Sequence, residues 1–265
     1  MKPYIELPMI GEFHTNSLLI LLSLFLCFII FFLFLRKELK SKSLGILALI
    51  GLICGTSIFA FTGARLFHVF VERPDYFLNH PELIFTQFDG MTFYGALGVG
   101  SLFAWFYLRR QNWPFETQGR IWDAGTLSTC VTVGFMRLGC FANGCCWGKI
   151  SSSPWSVQYY DPRSVMPYKG IPVHPVQLYD SALGFSIGLI LWVLWREGLS
   201  RGQLFLLFLM LYPLSRFVTE FFRADSFRGE DVLIGLSTSQ LISVFLFIAA
   251  LFLFNRSAKD KRFRY

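Results

Sequence analysis

Residues Leu18–Leu35 read LLILLSLFLCFIIFFLFL, a run without a single charged side chain, and Arg36-Lys37 follow it directly. An apolar run of this length matches the ~20 residues that a helix needs to cross a hydrocarbon core. Only Lys2 precedes the run and its charge cluster comes after it, the reverse of a secretory signal, so it is read as a retained first helix. The remainder of the chain repeats the pattern. Its 265 residues are 54% hydrophobic, 18% aromatic and only 15% charged, with 31 Phe. That leaves too little polar surface to cover a soluble globule.

Apolar runs between charged or Pro/Gly-rich breaks predict spans near 17–35, 44–71, 92–109, 121–140, 179–195, 202–222 and 235–254. The expected fold is all-α: a polytopic membrane protein of about seven transmembrane helices, forming a single bundle domain over 1–265. Residues 143–176, with Pro154, Pro162, Pro167, Pro172 and Pro175, are expected as an outer loop or cap between helices 4 and 5. The predicted inner loops and tail hold Arg36, Lys37, Lys40, Lys42, Arg109, Arg110, Arg120, Arg196, Arg201, Arg256, Lys259, Lys261, Arg262 and Arg264, against Glu38, Glu116, Glu197 and Asp260. The positive-inside rule therefore places the N-terminus outside and the C-terminus in the cytoplasm. The net charge of +7 is carried by residues flanking apolar runs. This is the pattern of topology signals and anionic-lipid contact, and it argues against nucleic-acid binding.

Three arginines fall inside or at the rim of these spans, where ionisable groups are rare and mark functional sites. From the helical rise, Arg65 lies roughly 32 Å along helix 2, Arg137 roughly 24 Å along helix 4 and Arg216 roughly 21 Å along helix 6, all in the outer half. On helix 6, Tyr212, Arg216, Glu220 and Arg223 are spaced four, four and three, along one stripe. Arg216 and Glu220 alone read equally well as an ion pair packing two helices. Three arginines at one depth need more than one acid, and the excess positive charge suits a phosphate gripped by planar guanidinium forks. Polar groups at one leaflet rather than the midplane, with no internal repeat, disfavour a transporter.

His174, Gln177 and Asp180 stand at the outer mouth of helix 5, Asn143 follows helix 4, and His68 and Glu72 follow Arg65. Cys140, Cys145 and Cys146 cluster just past Arg137 in a C-x4-C-C pattern. A disulfide, a metal site, a reactive thiol and plain packing remain open for them. A Cys140–Cys145 disulfide is the leading expectation in an oxidising compartment. No metal is expected, because the paired short spacings of zinc sites are missing apart from His174. No cofactor-binding motif, serine nucleophile elbow or phosphate-binding glycine loop is present.

The motifs resemble those of the bacterial prolipoprotein diacylglyceryl transferases. The resemblance is carried, in family order, by Gly63-Ala64-Arg65-Leu66, Asp89-Gly90-Met91-Thr92-Phe93 and Gly134-Phe135-Met136-Arg137-Leu138-Gly139 with Phe141, Asn143, Gly144, Trp147 and Gly148. His174-Pro175-Val176-Gln177-Leu178-Tyr179-Asp180 and Tyr212 to Arg223 complete it. It implies a multi-pass transferase of the bacterial inner membrane. Such an enzyme moves diacylglyceryl from phosphatidylglycerol to the lipobox cysteine in the signal peptide of a preprolipoprotein, forming a thioether and releasing glycerol phosphate. On this reading Arg137, Arg216, Tyr212, Tyr94 and His174 are catalytic, and Arg65, Asn143, Gly148, Glu220, Arg223 and Gln177 bind substrate. The chain departs from the family pattern at four places. Tyr94 replaces a His, Cys140 an Asn, Cys145 a Glu, and His14-Thr15-Asn16-Ser17 stands where His-x-Tyr-Gly is usual. These departures define the rival readings: a paralogue with another acceptor, or a non-catalytic lipid- or partner-binding membrane protein.

Overall fold

A computed structural model describes residues 3–7, 11–36, 39, 45–86, 90–199, 202–224 and 235–259. Lys2, Lys37, Glu38, Lys40, Lys42, Asp89, Arg201, Arg228, Asp260, Lys261, Arg262 and Arg264 lie outside the described residues. Helix dominates. The long helices are α1 (Thr15–Phe34) and α2 (Ile46–Phe67), the latter continued by a π-helical turn over His68–Glu72. After the short α3 (Pro74–Asn79) and α4 (Leu83–Thr86) come α5 (Phe93–Arg110), α6 (Phe115–Asn143), α7 (Val176–Arg196), α8 (Gln203–Glu220) and α9 (Thr238–Lys259). Each expected span holds one long helix.

Five of these helices are long and apolar enough to cross a membrane: Thr15–Phe34, Ile46–Glu72, Phe115–Asn143, Val176–Arg196 and Thr238–Ser257. The other two, α5 and α8, are 18 residues each; α5 ends on Arg109 and Arg110, and α8 holds Gln203, Arg216 and Glu220. On α1, Leu21, Leu24, Phe25, Phe28 and Leu33 are exposed, whereas only Ser23 and Phe31 are buried. A wall of exposed Leu and Phe is stable when the solvent is lipid.

One element was not anticipated. Strands β1 (Tyr4–Leu7) and β2 (Gly11–His14) form an antiparallel hairpin ahead of α1, pairing Tyr4 with His14 and Glu6 with Glu12. Arg163, from the segment between α6 and α7, donates to Glu12 Oε1 at 2.7 Å and lies over the Tyr4 ring at 4.7 Å. Hydrogen bonds from Arg163 also hold the Asp161 carboxyl below its ordinary range.

The chain divides into two compact units, one formed by residues 1–35, 119–225 and 239–265, the other by 36–118 and 226–238. In the second unit α2 packs on α5 through glycines. A Cβ at Gly63 would strike Val99, and one at Gly100 would lie 3.0 Å from Ala60 Cβ. In the first unit small residues bring α6 and α7 together: the Cβ position of Gly184 is 3.3 Å from the Gly134 nitrogen, and that of Gly188 is 3.0 Å from Cys130 Cβ. Close backbone approach of this kind is how helices associate where lipid offers no hydrophobic drive.

Helix α8 starts after Gly202, whose φ of 90° is left-handed, and its own cap residue makes no side-chain bond. The cap comes from α6: Asp123 accepts from the Gly202 nitrogen at 3.0 Å and the Leu204 nitrogen at 3.1 Å. Two orphan donors are thereby satisfied. Residues 144–175 hold no helix but have their own small core of Tyr159, Met166 and Val173, against which Trp147 and Val157 pack. Val165 N–H donates to the Asn143 carbonyl at 2.9 Å and Tyr159 hydroxyl to the Phe141 carbonyl at 3.1 Å, which ties this segment to the end of α6.

Candidate active site

Tyr212, Arg216 and Glu220 of the expected stripe lie on α8, and Arg223 falls past its end. Arg216 pairs with Glu220 one turn on, and its Nη1 approaches Thr219 Oγ1 at 3.5 Å. Just past the helix, Arg223 Nε lies 3.8 Å from the same Glu220 carboxylate. Arg223 Nη1 is also 3.8 Å from Asp180 Oδ2 on α7, and that oxygen is 3.2 Å from Arg137 Nε on α6. Ion pairs therefore run Arg216–Glu220–Arg223–Asp180–Arg137 through three helices. Side-chain exposures are 5% for Arg216, 4% for Arg223, 8% for Asp180, 11% for Glu220 and 15% for Arg137. Tyr212 joins the chain as a hydrogen-bond partner of Arg137, its ring stacked on Phe208 at 5.3 Å.

These five charged groups, three guanidiniums and two carboxylates, leave one positive charge over. Opposed charges held this far from water stay ionised only when paired, and a surplus cation is stabilised by an anion.

The backbone beside Arg223 is fixed by the segment after α6. Gly148 bridges to Arg223, Lys149 N–H donates to the Phe222 carbonyl at 2.8 Å and Ala224 N–H to the Trp147 carbonyl at 3.2 Å. Gly148 has a steric reason to be glycine: a Cβ there would lie 2.7 Å from both His174 Cβ and Val176 Cγ2. His174 N–H donates to the Lys149 carbonyl at 3.0 Å. Its ring stands edge-on to Phe222 at 5.2 Å, with Nδ1 3.1 Å from the Tyr179 hydroxyl. Gln177 is buried; its Nε2 donates to the Cys145 carbonyl at 2.6 Å and approaches the Tyr159 hydroxyl at 3.4 Å.

Arg65 and Tyr94 belong to the other unit. There Arg65 is buried, donates to the carbonyls of Leu83 and Ile84 at 3.1 and 3.2 Å, and lies over the Phe77 ring at 5.0 Å. It is a tether of the α4 turn. Tyr94 is buried in the first turn of α5, and His68 pairs with Glu72 at 2.7 Å on the π-helical turn.

The expected Cys140–Cys145 disulfide is not formed, since all six cysteines are free thiols. Instead the sulfurs of Cys140, Cys145 and Cys146 all lie within 4.8 Å of one another. Hydrogen bonds from Cys140 and Cys145, with help from Arg223 and Arg137, hold the Cys146 thiol well below its ordinary range. Hydrogen bonds with Cys140 and Cys146 push Cys145 up, and burial raises Tyr159. The sequence reading missed Asp180 as the acid joining two arginines, and the convergence of the Cys146 sulfur with those of Cys140 and Cys145. The motif 174–180 carried the signal for the first and the C-x4-C-C spacing for the second.

The family model for prolipoprotein diacylglyceryl transferase matches residues 6–256. The phosphatidylglycerol–prolipoprotein diacylglyceryl transferase of Clostridium tetani is 31% identical over 209 residues, covering 79% of this chain and 78% of that protein. The Bordetella avium protein of the same name is 34% identical over 200 residues, covering 74% and 72%. The second such protein of Clostridium perfringens is 30% identical over 201 residues, covering 76% and 75%. The long apolar helices and the bacterial relatives agree with a multi-pass place in the bacterial inner membrane. The residues that gather around Asp180 and Glu220 are thus set in a chain that belongs, as a transferase, to the prolipoprotein diacylglyceryl transferase family.

Proposed function

We propose that the protein transfers the diacylglyceryl group of phosphatidylglycerol to the lipobox cysteine of a preprolipoprotein, with all seven long helices crossing the membrane. The observation that carries this reading is the surplus positive charge of Arg137, Arg216 and Arg223 around Asp180 and Glu220. The acceptor sulfur attacks the glyceryl carbon, and a C–S bond forms. The C–O bond to phosphate breaks, its electron pair leaving on glycerol phosphate. Charge builds on the departing phosphate oxygens, and guanidinium forks fixed in advance stabilise it without reorganisation. Tyr212, held on Arg137, adds a hydroxyl to the same place.

The thiol must lose its proton for the sulfur to attack. That role is assigned to His174: with Nδ1–H donating to the Tyr179 hydroxyl, Nε2 is the basic nitrogen. Asn143, Gly148 and Gln177 act through backbone placement, each bonded or packed against the segment that flanks Arg223. Arg65 is assigned to substrate binding and Tyr94 to catalysis on the resemblance of their motifs alone.

The test is turnover by the purified protein with phosphatidylglycerol vesicles and a lipobox peptide, read by mass spectrometry. A thioether-linked diacylglyceryl peptide and released glycerol phosphate are expected. Retained lipid binding without product would move the reading to a lipid-binding protein.

A further inference from the structure

The three sulfurs beside Arg137 are not explained by phosphate holding. Cys140 lies in the last turn of α6, and Cys145 and Cys146 sit in the turn after it. Adjacent residues in regular backbone point apart, by about 100° in a helix and to opposite faces in a strand. Here Cys146 has a φ of 58°, the one left-handed non-glycine among the described residues, and both neighbouring sulfurs reach one focus with Cys140. Left-handed backbone is sterically disfavoured at a non-glycine residue. Gln177 fixes the turn by donating to the Cys145 carbonyl.

The sulfur separations fit a cation. With metal–sulfur bonds of about 2.3 Å, a trigonal set of thiolates has sulfurs about 4 Å apart, and the three here lie within 4.8 Å. Three thiolates alone would gather three negative charges, and a divalent ion reduces that sum to one. Sulfur ligands select a soft or borderline ion over magnesium or calcium. We infer that Cys140, Cys145 and Cys146 form a three-thiolate site for a divalent thiophilic cation, whose open fourth position takes the acceptor thiol as a thiolate.

The site rests on geometry, and the role of its fourth position rests on the transfer reaction proposed above. An acceptor thiol that coordinates gives up its proton outright, and the proton passes to His174, the base assigned above. Its sulfur then attacks the glyceryl carbon and glycerol phosphate leaves with the electron pair. The thioether so formed is a neutral, weaker ligand and departs, restoring the open position.

The experiment uses the full chain in detergent, reduced, freed of metal with a chelator and titrated with Cd(II), whose thiolate charge-transfer absorbance scales with the number of sulfurs. One equivalent should saturate a three-sulfur band. Cys146→Ser should lose affinity at least 10-fold and a third of the band, Cys140→Ser should do the same, and Cys54→Ser should change neither. Elution of each variant at the wild-type volume checks folding. A short cysteine peptide should raise the saturated band by one further sulfur. Absence of a one-equivalent band, or a band unchanged in both Cys140→Ser and Cys146→Ser, overturns the site. Transfer undiminished by the chelator overturns the activating role. A three-sulfur band in protein that never makes a thioether supports the site and refutes the proposed reaction.

Discussion

Asp180 holds Arg137 at 3.2 Å and Arg223 at 3.8 Å, so two guanidiniums from different elements share one carboxylate at 8% exposure. Asp180→Asn keeps the shape and removes the charge. Breaking a buried pair on one side typically costs about 3–5 kcal/mol. The variant should lose thermal stability on that scale in detergent, read as a drop in melting temperature, and product formation should fall with it. Arg216 is a different case, because its partner Glu220 lies on its own helix and contributes less to holding elements together. Arg216→Ala should therefore fold and fail to transfer, with product down at least 100-fold. Arg216→Lys should remain at least 10-fold down, since an ammonium lacks the planar fork that grips a phosphate. Normal turnover by Arg216→Ala would remove the phosphate-holding role. The α8 stripe was legible because Tyr212, Arg216 and Glu220 need only the helix period to be aligned, with Arg223 just past the helix end. Asp180 was not, because its place between two arginines depends on how α7 packs on α6.

That packing is set at the scale of elements by Gly184 and Gly188, which let α7 lie against Cys130 and Gly134 of α6. Gly184 is one turn from Asp180 on the same helix, so a bulky residue there should move the carboxylate off Arg137. Gly184→Leu is expected to lower the melting temperature and to reduce transfer more than Gly188→Leu, which lies two turns away. Equal losses would show that α7 shifts as a rigid whole. The α8 cap gives a second prediction. Asp123 is 2% exposed and accepts from two backbone nitrogens of α8, so Asp123→Ala should cost about 1–2 kcal/mol, measured by denaturation in detergent. The seven long helices were readable from apolar runs, and their ends moved by a few residues because fraying and capping depend on neighbours. The hairpin of Tyr4–Leu7 and Gly11–His14 was not readable, being two four-residue strands whose tie through Arg163 comes from a distant segment. The cysteines were legible as a cluster and not as three converging sulfurs, since convergence depends on the left-handed backbone of Cys146, the one such non-glycine among the described residues.

Over the whole molecule, the chain carries 24 basic and 17 acidic residues, and their distribution decides which way it threads the membrane. Five helices meet the criteria for crossing by themselves, and α5 and α8 fall short because of the residues at their ends and the polar stripe on α8. An odd number of crossings puts the two termini on opposite sides. The distinction between seven and five rests on α5 and α8: if either failed to cross, every later loop would change side. Reporter fusions at Lys40, Arg110, Arg201 and Lys261 should all read cytoplasmic, and one at Gly170 should read outside. The pair Arg110 and Gly170 is the sensitive one, because it brackets α6 directly after α5. Arg137 then lies toward the outer end of α6, on the side where an acceptor delivered across the membrane would arrive. An outside signal at Lys261 would overturn the count of seven, and a cytoplasmic one at Gly170 would turn the arginine cluster to the wrong leaflet for the proposed reaction.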